Sequence, residues 1–148
     1  MIVRDASSKD FEFIVMSQIK MALETENLKL DKPTVRLGVR AVLEDKSKGA
    51  YIVAEEQGKP CGVLLTVPEW SDWRNGTVVW IHSLYVIPEM RKSGVFRKMY
   101  EHLQSAVKSS KNLRGIRLYV EQNNLRAQKA YENMGMSKDH YFLYEWLK

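Results

Sequence analysis

The chain has 148 residues, of which 45% are apolar and 28% are charged. This balance excludes a largely disordered chain and fits one folded domain over residues 1–148. Its one cysteine, Cys61, excludes an internal disulfide and is typical of a reducing compartment. Because we find neither a secretory signal nor a membrane-spanning run, we expect a cytoplasmic protein that has no membrane partner.

The net charge of +5 and the pI of about 9.3 favour anionic ligands in general. A nucleic-acid-binding module is therefore one alternative. The basic residues form no single stripe along one predicted element, and we find no nucleic-acid recognition motif. We therefore expect no nucleic-acid partner.

The N-terminal third predicts a short strand over residues 1–6 and then two helices. Ser7 or Ser8 is the predicted cap of the first helix, and Pro33 fits the first turn of the second. Residues at helical spacing predict one apolar stripe on each helix. These residues are Phe11, Ile14, Val15, Gln18, Ala22 and Leu23 on the first helix and Val35, Val39, Val42 and Leu43 on the second.

The remaining pattern predicts a hairpin of residues 50–55 and 61–67, with a turn at Gln57-Gly58, and a long strand from Asn75-Gly76 to residue 87. A helix beginning near Val95, a strand over residues 115–121, a helix capped by Asn123 or Asn124, and a closing strand over residues 139–147 follow. Hairpins that alternate with helical connections predict a mixed α/β fold, with a central mixed twisted sheet and helices on both faces.

Residues 86–103 read VIPEMRKSGVFRKMYEHL, a strand end followed by a basic loop and a helix. A helix N-terminus offers unpaired N–H groups and a partial positive charge, and Gly94 allows an unusual backbone angle. The stretch predicts a phosphate site, although an ordinary strand-to-helix turn would read similarly.

Together with a second segment, this stretch resembles the GNAT superfamily of acetyl-CoA-dependent N-acetyltransferases. The family's first motif is Arg or Gln, two free positions, Gly, one free position, then Gly or Ala; here Arg91 and Gly94 match, and Phe96 stands at the last position. The second motif matches at four positions, namely Asn124, Ala127, Tyr131 and Gly135. The resemblance covers nearly the whole chain.

The resemblance implies acetyl-CoA as the cofactor and no metal. It implies that main-chain groups of Leu84, Tyr85 and Val86 pair with the pantetheine arm. The diphosphate would lie on the loop formed by Arg91, Lys92, Ser93, Gly94, Val95 and Phe96, while Asn124 and Tyr131 would lie near the thioester. The bulky ring of Phe96 must then point away from the diphosphate, or the loop must shift.

Acetyl transfer to an amine needs a base for the ammonium and an acid for the leaving thiolate. Tyr131 matches the position of the family's acid, although a helix tyrosine that only packs would fit the periodicity. His82, on the strand that leads into the first motif, is the candidate base. A hydrogen-bonded structural histidine, or a water chain ending at Glu69 or Asp72, would fill the same place.

The segment from Pro68 to Gly76 combines acids with two tryptophans, which suits a cationic amine. An ordinary hairpin whose tryptophans pack on the sheet would show the same sequence pattern. It resembles the substrate side of the diamine/thialysine acetyltransferase branch. The candidate substrate residues are Glu24, Glu26, Glu69, Trp70, Asp72, Trp73 and His82. We expect a small-molecule primary amine as acceptor; the alternatives are a protein amine and a non-catalytic acyl-CoA sensor. The look-alike proteins also imply a homodimer.

Overall fold

The strands of the computed structural model, which describes residues 1–138 and 140–148, form one sheet. In chain order its elements are β1 (Ile2–Asp5), α1 (Phe11–Glu26), α2 (Lys32–Glu44), β2 (Ala50–Glu56), β3 (Lys59–Ser71), β4 (Gly76–Val86), α3 (Val95–Ser109), β5 (Leu113–Leu118) and α4 (Leu125–Glu132). This order agrees with the predicted one as far as α4.

The sheet is mixed, with the spatial order β1-β2-β3-β4-β5. Antiparallel pairs join β1 to β2, β2 to β3 and β3 to β4, whereas β4 and β5 are parallel. The helix α3 connects that parallel pair, as a crossover must. The predicted mixed α/β fold is confirmed.

Two apolar clusters fill the two sides of the sheet. On one side the buried face of α3 packs against the strands, through Val95, Met99, Tyr100 and Leu103. On the other side α1 and α2 contribute Ile14, Val15 and Val39. The predicted stripes are confirmed there, except that Leu23 is 54% exposed because it lies in the last turns of α1.

The β2–β3 hairpin turns at Gln57 and Gly58, both with positive φ (50° and 75°). Positive φ at both residues gives a two-residue turn whose twist matches that of the flanking strands. The strand β3 continues through Pro68 to Ser71, beyond the predicted end at residue 67. Pairing with β2 ends at Thr66, so beyond that point β3 is an edge strand on the side that faced β2. A proline is tolerated at such an edge.

A charged network ties β1 and β2 to the start of α1. Arg4 donates to both carboxylate oxygens of Asp10 (2.8 and 2.9 Å) and to Glu55 (2.8 Å). Asp10 is 1% exposed, and it also accepts from the Ser7 backbone N–H at 2.8 Å. The Arg4 guanidinium holds the pKa of the Asp10 carboxyl below its usual range. The predicted Ser7 cap thus precedes a short turn that leads into α1.

The predicted closing strand is wrong for the residues that the structure describes. Asp139 lies outside them, and residues 140–148 belong to no strand. Their alternating pattern is typical of a strand, but a strand needs a neighbouring edge, and the chain does not place this segment on one. The strand β5 also begins two residues earlier and ends three residues earlier than the predicted 115–121.

Within the described residues, no helix combines the length and apolar character needed to cross a bilayer.

Candidate active site

A β-bulge interrupts β4 at His82. Leu65 of β3 lies opposite Ser83, whereas the next residue, Thr66, lies opposite Ile81, so His82 is the extra residue. The bulge reverses the alternation of β4: Val79 and Ile81 face α3 before it, and Leu84 and Val86 face α3 after it. Bulges of this kind bend a strand and re-aim its side chains.

The strands β4 and β5 separate at the same point. Their parallel pairing ends at Ile81 and Leu118, so residues 83–86 pair with β3 alone. Within the described residues, the main-chain groups that β4 turns toward β5 therefore have no strand partner from Leu84 onward, and the Val86 carbonyl accepts from Arg91 Nε at 3.0 Å. An unpaired strand edge is a template for an extended ligand.

The open edge leads directly into the predicted phosphate loop. Lys92 and Gly94 both have left-handed backbone angles, with φ of 68° and 82°, and Ser93 Oγ donates to the Met90 carbonyl at 2.6 Å. Gly94, at the N-cap of α3, makes no side-chain cap of its first turn. Successive backbone N–H groups in such a turn make a concave surface that binds anions.

The ring of Phe96 packs between helices. Its centroid lies 6.0 Å from that of Tyr100 and 5.6 Å from that of Tyr131, edge to face. Phe96 also joins the apolar cluster on the α3 side of the sheet. The residue that departs from the family pattern therefore connects the first turn of α3 to α4.

Tyr131 is half-buried on α4, and burial raises the pKa of its phenol above the ordinary value. Its hydroxyl forms no hydrogen bond within residues 1–138 and 140–148. Asn124 caps the same helix, because its side chain accepts from the Ala127 N–H at 3.1 Å. The second motif thus builds a capped helix that presents one protonated phenol.

His82 is exposed, and in the described part of the chain its side chain forms neither a hydrogen bond nor an ion pair. The described residues therefore offer no hydrogen-bond partner for the alternative in which His82 is a structural histidine.

Glu24, at the end of α1, reaches the basic loop. It accepts from Arg91 at 2.6 Å and from the Tyr85 hydroxyl at 3.4 Å. Both members of the ion pair are about 40% exposed, so the pair contributes little stability and is easily exchanged. Glu26 is exposed in the last turn of α1.

The predicted substrate residues of the β3–β4 hairpin fall into two groups. Glu69 lies on β3 and accepts from Trp80 Nε1 (2.5 Å) and Arg117 (3.0 Å). Trp70 and Trp73 are 65% and 88% exposed, and Asp72 caps the Trp73 N–H at the tip. The tip precedes Gly76, which is six residues from His82 and thus about 20 Å along the strand. The structure does not bring Asp72 and Trp73 to His82.

Sequence reasoning missed a cluster beside the point where β4 and β5 separate. The Trp80 cluster consists of Glu69, Trp80, Arg117 and Tyr119. The rings of Trp80 and Tyr119 lie 4.5 Å apart, and the Arg117 guanidinium lies 5.8 Å from the Trp80 ring. Two registers bring these residues together. The parallel one pairs Trp80 with Arg117, and the antiparallel one between β3 and β4 places Glu69 beside Trp80.

No three His, Cys, Asp or Glu side chains gather into a metal-binding group in the part of the chain that the structure describes.

The chain is similar to several known proteins. It is 35% identical to a possible acetyltransferase from Clostridium difficile 630, whose structure superposes with a TM-score of 0.93 over 99% of this chain and 97% of that one. It is 30% identical to an uncharacterized N-acetyltransferase from Archaeoglobus fulgidus, over 65% of this chain and 65% of that relative's length. The aminoglycoside N-acetyltransferase AAC(6')-Iy, solved in complex with CoA, shares the fold at 14% identity, with a TM-score of 0.80 over 99% of this chain and 94% of that one.

Residues 17–136 match the acetyltransferase (GNAT) family, a span that contains the bulge, the basic loop and the Tyr131 helix. The resemblance inferred from the two motifs is confirmed, and the chain belongs to the acetyltransferase (GNAT) family.

Proposed function

We propose that this protein transfers an acetyl group from acetyl-CoA to a primary amine. The half of β4 beyond the bulge at His82 supports this assignment most directly, because it pairs with β3 on one side, with no described strand on the other, and leads toward the loop at Gly94. Acetyl-CoA supplies an acetyl group already activated as a thioester. Its extended amide-bearing arm and its diphosphate match a strand edge followed by an anion-binding turn.

In this proposal the chain holds the cofactor at two places. Main-chain groups of Leu84, Tyr85 and Val86 pair with the pantetheine amides, and the N–H groups from Lys92 to Phe96 surround the diphosphate. Arg91 exchanges its exposed partner Glu24 for the more highly charged diphosphate. The Phe96 ring packs on Tyr100 and Tyr131 and so forms part of the contact between α3 and α4.

Tyr131 is the proposed general acid. A thiolate leaves more readily when a proton reaches the sulfur as the bond breaks. A tyrosine phenol is protonated at neutral pH, and burial raises the pKa of Tyr131 further. A hydroxyl that has no other partner among the described residues is available to donate.

His82 is the proposed base. An alkylammonium has a pKa of about 10.4 and must lose a proton before it can attack the thioester. The bulge turns His82 outward where β4 and β5 separate, whereas the alternative Glu69 is already engaged by Arg117 and Trp80. A water chain that ends at Glu69 is the competing route.

The acceptor is proposed to be a small primary amine, polyamine-like or amino-acid-like, as in the diamine/thialysine branch. The Trp80 cluster combines an aromatic face with a carboxylate and already holds one cation, Arg117; in this proposal the amine takes the place of that guanidinium. An amine on a protein is the second candidate.

The test is an amine panel incubated with the enzyme and acetyl-CoA, read by mass of the product and by release of free thiol. We expect acetylated product from at least one small amine, with one thiol per product. Peptide products alone would favour the protein acceptor. Binding of acetyl-CoA with no thiol release over the whole panel would contradict acetyl transfer and favour an acyl-CoA sensor.

A further inference from the structure

Phe96 is the residue at which this chain departs from the family's first motif, which has Gly or Ala there. It lies in the first turn of α3, directly after Val95, and it is half-buried. Its ring centroid lies 5.6 Å from that of Tyr131, with an angle of 78° between the two ring planes. Glycine and alanine have no side chain long enough to reach α4, so this contact exists because of the departure.

The helix α4, which carries Tyr131, is held by few contacts. None of its residues is buried. Met134 and Met136, which follow it, are partly buried and pack against the apolar cluster on the α3 side of the sheet. Methionine side chains are flexible and adapt to their surroundings, whereas an aromatic pair prefers a defined geometry. The contact between Phe96 and Tyr131 therefore restrains α4 more specifically than the methionine contacts do.

The direction of the Tyr131 hydroxyl depends on the packing of its ring. Among the described residues that hydroxyl forms no hydrogen bond, and Phe96 is the aromatic ring in contact with it. A general acid must come within about 2.6–3.2 Å of the atom that it protonates. A small rotation of the ring would therefore remove the hydroxyl from the reacting sulfur.

Phe96 also belongs to the proposed diphosphate loop. The Lys98 N–H donates to the Gly94 carbonyl at 3.1 Å, and the N–H groups before it, including that of Phe96, are donors that a helix leaves unpaired in its first turn. The backbone of Phe96 is thus part of the anion-binding turn, while its side chain reaches α4. One residue connects the two parts of the site.

We propose that Phe96 is a positioning residue: its ring holds the Tyr131 phenol at the thioester while its backbone N–H helps to hold the diphosphate. The inference rests on the proposed acetyl transfer, in which Tyr131 is the general acid. It assigns a role to the side chain that the family pattern lacks.

The first test is the effect of Phe96→Ala on kcat and on CoA affinity. We expect kcat to fall about 10- to 100-fold, because a small misplacement of a catalytic group is costly. The Kd for CoA, measured by calorimetry, should change only a few-fold, because alanine keeps the backbone N–H. Phe96→Tyr keeps the aromatic ring and should retain most of the turnover. Full turnover in Phe96→Ala would overturn the proposal.

A double-mutant cycle shows whether Phe96 acts through Tyr131. In a Tyr131→Phe background the acid is already absent, so Phe96→Ala should lower kcat much less than it does in the natural chain. Equal factors in the two backgrounds would mean that the residues act independently, and the role of Phe96 alone would be wrong. Failure of the natural chain to transfer acetyl to any amine would instead contradict the proposed function.

The ring contact can also be measured without cofactor or turnover. The fluorine resonance of 3-fluorotyrosine placed at position 131 should move in Phe96→Ala, because the neighbouring ring is gone, and should stay near its original position in Phe96→Tyr. Tyr100→Phe alters the other ring beside Phe96; it is the matched control and should move the resonance much less. A resonance that does not respond to Phe96→Ala would overturn the contact on which the positioning depends.

Discussion

Tyr131 acts in the proposed reaction through one hydroxyl proton, and packing alone would not need that hydroxyl. The edge-to-face contact with Phe96 uses only the ring. A change that removes the oxygen and keeps the ring therefore separates the two roles.

Tyr131→Phe should lower kcat by about 100-fold or more, the usual contribution of a general acid. Affinity for acetyl-CoA should stay within a few-fold, because the ring contact persists. Steady-state kinetics and calorimetric titration with CoA measure the two quantities. Tyr100→Phe, which alters the other tyrosine that contacts Phe96, is the control and should keep its turnover. Unchanged kcat in Tyr131→Phe would assign that residue to packing.

His82 is placed by a backbone irregularity rather than by side-chain partners. His82→Ala should flatten the acidic limb of the pH profile of kcat/KM, because the group whose protonation stops the reaction would be gone. His102→Ala, on the exposed side of α3, should leave that limb unaltered. An acidic limb that survives in His82→Ala would transfer the base to a water chain.

The first helix depends on the network of Arg4, Asp10 and Glu55. Asp10 is ionised in the fold at a pH where it would be protonated in the unfolded chain, because its pKa is lowered. Its contribution to stability is therefore complete above the ordinary carboxyl pKa of about 4. It is lost as the pH falls through the lower folded pKa.

Asp10→Asn should reduce the free energy of unfolding at pH 7 by about 3 kcal/mol, since it breaks a buried ion pair. Urea unfolding at pH 7 and pH 3 should show a smaller loss on acidification for the variant than for the natural chain. Some acid sensitivity will remain, because the pKa of Asp45 is also lowered, to about 2. Equal losses in both proteins would contradict this account of the network.

Between β4 and α3, two backbone features cooperate. The bulge ends the pairing of β4 with β5, and the left-handed turn at Gly94 begins the helix. An alanine at Gly94 would meet no neighbouring atom, so it would act only through its unfavourable positive φ, at a cost of roughly 1–2 kcal/mol.

The domain as a unit should be stabilised by its cofactor, because a ligand that binds only the folded state shifts the unfolding equilibrium. CoA at 100 times its Kd contributes about 2.7 kcal/mol, which corresponds to roughly 5–10 °C in Tm for a chain of this size.

Thermal unfolding with and without CoA measures this shift. In the Gly94→Ala variant the shift should be smaller at the same CoA concentration, because the loop that holds the diphosphate is strained. An equal shift in the variant would place the diphosphate elsewhere, and no shift in the natural chain would contradict CoA binding.

Much of the fold followed from local patterns. The capped helix at Asn124, the turn at Gln57-Gly58 and the glycine at the start of α3 lie where their backbone chemistry predicts, because caps and positive φ depend on a few adjacent residues. The apolar stripes on α1 and α2 similarly predicted which sides would be buried. The two family motifs located the candidate cofactor loop and the Tyr131 helix from residue types and spacing alone.

Other features were decided by partners distant in the chain. The bulge at His82 exists only in the register between β3 and β4. The Trp80 cluster exists only because β4 lies between the antiparallel β3 and the parallel β5. The alternating pattern of the last nine residues predicted a strand that the structure does not show, because no local pattern says which edge will receive such a segment. Residue types specify what a segment can form, whereas pairing depends on competition among edges that only the assembled sheet creates.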